Sequence, residues 1–150
     1  MSGKAWLIIG GSLSAIAALA HLAIIVGGPA WYRFFGAGER MAEMAERGHS
    51  YPALITLGIA TILALWAAYA FSGAGLLPRL PLLRTALVAI TAIYLLRALA
   101  FVPVMAASGA PITPFAVWSS LIVLVYGFTH ALGTWQRWPL LAPASGPLAP

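Results

Sequence analysis

Four apolar runs, at residues 5–27, 51–71, 83–102 and 114–135, decide what this chain can fold into. About 20 apolar residues in a helix match the hydrocarbon thickness of a bilayer. Lipid offers no partner to open backbone groups, so each run is expected to be a helix. The chain is 62% hydrophobic and 7% charged over 150 residues, whereas a soluble domain carries roughly 25% charged residues. The expected fold is an all-α integral membrane protein. A four-transmembrane-helix bundle would occupy residues 1–138, and a proline-rich C-terminal tail without fixed structure residues 139–150.

Local signals sharpen the ends. Ser50 before Pro52 and Thr113 before Pro114 read as N-caps with proline in the first turn. The third run is expected to stop at Pro103. Lys4 and the "ALA" at 18–20 imitate a signal peptide, but the apolar run continues through His21 to Val26, and a retained first span is expected. Between the first two spans, "GERMAEMAERGH" consists of good helix formers. A short amphipathic surface helix is expected there, over residues 38–47.

Lysine and arginine near helix ends orient a membrane protein. Lys4, Arg79, Arg84 and Arg137 flank the termini side; Arg33, Arg40 and Arg47 flank the other. The bias places both termini in the cytoplasm, in a bacterial inner membrane. Trp6, Trp66, Tyr69, Trp135 and Trp138 are expected to belt the termini side, and Trp31, Tyr32, Tyr51 and Trp118 the other.

Several chemistries fall away. The chain has no cysteine, aspartate or asparagine, which removes disulfides, thiolate sites, N-glycosylation and Asp-based catalysis. Its single lysine, Lys4, precedes the first span, so an intramembrane Schiff base is excluded. The net charge of +5 comes from residues scattered over helix ends, and no nucleic-acid partner is implied. No glycine-rich phosphate loop or serine–histidine–acid arrangement is present. Gly10, Gly11, Ser14, Ala18, Gly127 and Ala131 have the spacing of close helix–helix packing.

The polar residues are more informative. With a rise of 1.5 Å per residue, His21 and Arg97 each lie roughly 9 Å inside the face opposite the termini. Thr56, Ser119 and Ser120 fall at a similar depth, and Tyr94 is one turn from Arg97. An intramembrane arginine is costly unless paired, hydrated or able to reach the interface. The only acidic side chains, Glu39, Glu43 and Glu46, lie on the connection above this layer. One or more of them is expected to descend onto Arg97.

A ligand site follows, made of His21, Arg97, Tyr94, Thr56, Ser119, Ser120 and the three glutamates. Metal readings are weaker. Met41, Met44 and His49 resemble a soft Cu(I) set. Glu46-x-x-His49 has half of a di-iron pattern, without the second motif or further carboxylates. His21 and His130 lie near opposite faces, unsuited to one haem. No cofactor is named by the sequence.

The expected function is an outward-facing polar pocket that binds a small amphiphile such as a lipid, isoprenoid or quinone. Whether the pocket is also catalytic is left open; a cluster of glutamate, histidine and arginine could support isomerisation or hydrolysis. The alternative is a structural or accessory membrane subunit, or a homo-oligomer, packing through the small-residue faces.

Overall fold

A computed structural model describes residues 1–142. The tail at 143–150 therefore lies outside the described residues. Five α-helices follow in order: α1 (Gly3–Phe34), α2 (Glu39–Glu46), α3 (Tyr51–Ala74), α4 (Leu83–Ala107) and α5 (Pro114–Gln136). A 3-10 helix, Trp138–Leu141, ends the described chain. The four long helices have the length and hydropathy to cross a bilayer, with α2 as the short helix between the first two.

α1 packs along α3, and α4 along α5, as two extensive pairs; α1 joins α5 across the bundle, while α3 and α4 meet only sparsely. The pairs are tied together near the termini. There a Cβ on Gly133 would lie 2.6 Å from Leu7 Cγ, and one on Gly73 2.8 Å from Leu87 Cδ1. Leu7, Ala74, Leu83, Leu87 and Leu141 form the core of this half.

Four local expectations need correction. α1 breaks at Gly28 (φ 66°, ψ −150°), as its apolar run suggested, but a helical segment resumes at Pro29 and continues to Phe34. Proline at the first position of a new segment is compatible with helix, and this extension turns Tyr32 inward until it is 2% exposed. α4 runs through Pro103 to Ala107; proline is better tolerated within membrane helices than in soluble ones. Thr113 caps α5, accepting from the Ala116 amide at 3.1 Å. Ser50 is itself in the αR region (φ −75°, ψ −17°) and makes no side-chain capping bond. Finally, residues 139–142 are docked: Leu141 is 2% exposed, and Arg79 donates to the carbonyls of Leu140, Leu141 and Ala142.

Two residues assigned to the aromatic belts also turn inward. Trp66 packs edge-on against Tyr94 with centroids 4.9 Å apart. Tyr32 joins Ile24 and Ala42 in a cluster beneath α2.

Candidate ligand site

Away from the termini the two helix pairs diverge and leave a cleft of about 600 Å³. One wall comes from α1 and α3, with Ala20, His21, Ile59 and Ile62; the other comes from α4 and α5, with Ile93, Arg97, Ser119 and Ile122. Phe35 and Phe115 stand at its mouth. Trp66, Tyr94 and Tyr126 line it further in, with the Tyr94 and Tyr126 rings 5.5 Å apart. The cleft is an apolar volume with a few polar groups gathered towards one end, the usual build of a small-molecule site.

Arg97 supplies the charge. Its Nη1 donates to Ser120 Oγ at 3.3 Å and its Nη2 to Ser119 Oγ at 3.2 Å. Its guanidinium carbon lies 3.7 Å from the centroid of the Phe101 ring. Because α4 continues to Ala107, the Arg97 backbone lies ten residues from the helix end, roughly 15 Å by helical rise. That is deeper than the sequence suggested. The side chain reaches towards Phe101 and the serines, partway back to the interface, in the manner of long basic side chains in membranes.

His21 faces the same cleft. Its Nδ1 is 2.7 Å from the Ala17 carbonyl. A carbonyl only accepts, so Nδ1 carries a proton and Nε2 is the nitrogen left to meet a ligand. Ser119 donates its own proton to the Ala116 carbonyl and presents its oxygen to Arg97. Tyr94 contributes its ring, because its hydroxyl is 2.8 Å from Ser14 Oγ.

The expected glutamate–Arg97 pairing is not made. Arg33 binds Glu39 through Nε and Nη2, and Glu46 through Nη1 at 2.7 Å. Glu43 lies 3.9 Å from Arg47. Among the described residues no carboxylate lies within 4.0 Å of Arg97. The physical reason is the break at Gly28, which carries Arg33 to the glutamates before they can reach down. The bonds from Arg33 hold the Glu39 carboxyl below its usual range, against partial desolvation.

Thr56 also stands apart. Its hydroxyl donates to the Pro52 carbonyl at 2.7 Å and sits 3.4 Å from the Tyr32 hydroxyl. Met41 packs against the Ile24–Tyr32–Ala42 cluster, Met44 is half-buried and His49 is exposed. No group of three or more His, Cys, Asp or Glu residues among those described is arranged to hold a metal.

The structure adds His130, which the sequence placed near the other face. It is completely buried, 5.2 Å from the Tyr94 ring, with Nδ1 2.8 Å from the Tyr126 carbonyl. Its Nε2 has no partner among the described residues. Gly10, in the sequence only a small packing residue, makes room for it: a Cβ there would lie 2.7 Å from His130 Nδ1. The small-residue faces are thus consumed inside the chain, with Gly11 against Phe71 and Gly127 against Leu95.

Comparison of the chain with family models, curated proteins and solved structures finds no match.

Proposed function

We propose that this protein is an amphiphile-binding protein of the bacterial inner membrane, with both termini cytoplasmic and the cleft in the outer half of the bilayer. A lipid, isoprenoid or quinone would place its head group at Arg97, His21 and Ser119 and its tail among the cleft isoleucines. The observation that carries this reading is the cleft itself. An apolar volume of about 600 Å³ lies between the helix pairs, with Arg97 and His21 on its opposing walls. With the glutamates held by Arg33 and Arg47, no carboxylate joins the histidine and arginine, so the geometry favours binding over acid–base catalysis. The Gly10 and Gly11 surfaces that a structural subunit would use are already covered by His130 and Phe71.

Native mass spectrometry of the detergent-extracted protein tests the reading. A co-purified small molecule is expected on the wild-type chain and should be lost from an Ile62→Trp, Ile122→Trp double variant that fills the cleft. A chain that carries no adduct and is not stabilised by any added amphiphile would reject the proposal. Topology is tested separately, since the chain has no native cysteine. An impermeant thiol reagent should label Ser108→Cys from outside intact cells and leave Ser2→Cys untouched; the reverse pattern inverts the orientation.

A further inference from the structure

We infer that the cleft selects a lipid-borne anion carrying a single negative charge, taken up sideways from the bilayer. This rests on the amphiphile-binding reading and narrows it to a head-group charge and a route of entry.

The charge follows from what surrounds Arg97. A guanidinium has five N–H donors, and two of them go to neutral serine hydroxyls. The ring of Phe101 attracts the cation but brings no negative charge. All three acidic side chains of the sequence are engaged by other arginines. The positive charge is thus stabilised by polar and aromatic contacts without being neutralised. An oxyanion in the cleft would neutralise it and accept hydrogen bonds in which donor and acceptor are both charged, an ion pair the serines do not provide. Among the described residues Arg97 is the one arginine or lysine that lines the cleft, so one negative charge is matched and a second would be left unpaired. A carboxylate or a phosphodiester satisfies this; a dianionic phosphomonoester does not. Neutral quinones and alcohols would leave the arginine as it is.

The route follows from the walls. At the mouth, Phe35 packs on Trp31 and Phe34 with centroids 5.7 and 5.1 Å away. Gly36 (φ +69°) brings the backbone so near Phe115 that any Cβ there would collide with the ring. Phe35 and Phe115 narrow the cleft at this end. The flanks are different. Ile59, Ile62 and Ile93 are 41%, 48% and 47% exposed where α3 and α4 diverge, and Ile16 and Ile122 are exposed where α1 and α5 diverge. These apolar flanks face lipid, so a tail can slide in laterally while the head travels at the depth of the serines. Seven residues of α5 separate Ser119 from Tyr126, roughly 10 Å of rise. A tail held by its head at Arg97 would therefore extend towards Trp66, which packs beside Tyr94.

Trp66 makes the inference measurable. Purified protein is placed in uncharged micelles and titrated with amphiphiles brominated on the tail: a fatty acid, a phosphatidylglycerol, a fatty alcohol and a diacylglycerol. The Trp66 contribution is isolated by subtracting the Trp66→Phe protein. The fatty acid, the phosphatidylglycerol or both are expected to quench Trp66 at concentrations at least about tenfold lower than the uncharged probes, given the ion pair that only the anions can make. Which of the two anions wins identifies carboxylate or phosphodiester. Arg97→Gln should abolish the preference while the alcohol still quenches. If Arg97→Gln does not give a monodisperse protein, Arg97→Lys and the Ser119→Ala, Ser120→Ala pair should each reduce the preference. Equal quenching by all four probes overturns the charge selection and leaves amphiphile binding standing. No quenching of Trp66 above the Trp66→Phe background overturns both.

Discussion

Near the termini, the helices approach until backbone meets side chain without clearance; in the opposite half, the two helix pairs stand apart around a cleft. Glycine accounts for much of the difference. Gly10, Gly11, Gly73 and Gly133 each face a bulky partner on another helix, at distances a Cβ could not share. Gly58, in the diverging part of α3, has nothing within 4 Å of where its Cβ would be. Without a hydrophobic force between helices in lipid, close packing through small residues is a principal source of association. The tight half holds the bundle together, and the loose half can keep a cavity because it carries little of that load.

The largest test of this contrast is a pair of truncations. Leu7 is completely buried in the tight half, and Leu7→Ala should cost about 2–5 kcal/mol, the range for buried leucines. Ile62, 48% exposed beside the cleft, should change stability by no more than about 0.5 kcal/mol on truncation to alanine, as a surface site does. Reversible unfolding in mixed micelles, followed by helical circular dichroism, measures both. Similar losses at the two sites would mean that the halves share the load.

Glycine substitutions sharpen the comparison at a smaller scale. A Cβ on Gly133 would lie 2.9 Å from the Leu7 backbone nitrogen, and backbone cannot rotate away as a side chain can. Gly133→Ala should destabilise by about 1–3 kcal/mol through overpacking. Gly58→Ala should be neutral or stabilising by up to about 1 kcal/mol, because alanine is the better helix former. The same unfolding assay applies, and a stabilising Gly133→Ala would remove glycine from the explanation.

Between the halves lies the Ser14–Tyr94 bond, 2.8 Å long and buried. Ser14 already donates to the Gly10 carbonyl at 3.0 Å, so Tyr94 is the donor. Tyr94→Phe removes one interhelical bond and should cost roughly 0.6 kcal/mol, the average for such bonds in a membrane protein. A loss several times larger would show that Tyr94 also supports the His130 ring 5.2 Å away.

The spans were legible because hydrophobic length is a one-dimensional property: Tyr51, Leu83 and Pro114 open their helices where the apolar runs begin. The grouping of His21, Arg97 and Ser119 on one cleft follows the same kind of argument, from depth along the helices, but the depth of Arg97 was underestimated, because Pro103 does not end α4. Partner choice was not legible. Depth and scarcity together pointed the glutamates at Arg97, yet Arg33 lies six residues from Glu39 and meets it first. Pro29 suits the first turn of a resumed helix, but nothing in residues 28–34 shows that this helix swings Arg33 across; that depends on the positive φ of Gly28. The azimuth of Thr56 was likewise invisible, because depth says nothing about which way a side chain points. His130 was placed correctly in depth, but its burial became evident only when Gly10 was seen to face it.

The smallest expected effect concerns the mouth, where α2 rests on the first helix pair. Arg33 donates to Glu39 and Glu46, and the exposed Glu39 carboxyl is held below its usual range chiefly by that hydrogen bond. The sign is set by linkage: a carboxyl with a depressed folded-state pKa contributes stability that is present above its unfolded value and is lost as pH falls through the folded one. α2 should therefore open more readily in acid, while the spanning helices, which carry no carboxylate, do not respond through this group. Hydrogen exchange at the Glu43–Gly48 amides, corrected for the intrinsic effect of pH, should show protection falling as Glu39 takes up its proton. Glu39→Gln should start with the lower protection and lose most of that dependence. Protection that stays constant through the acid range in the wild-type chain would show that apolar contacts of Ala42 with Ile24 and Tyr32 hold α2 in place without help from the ion pair.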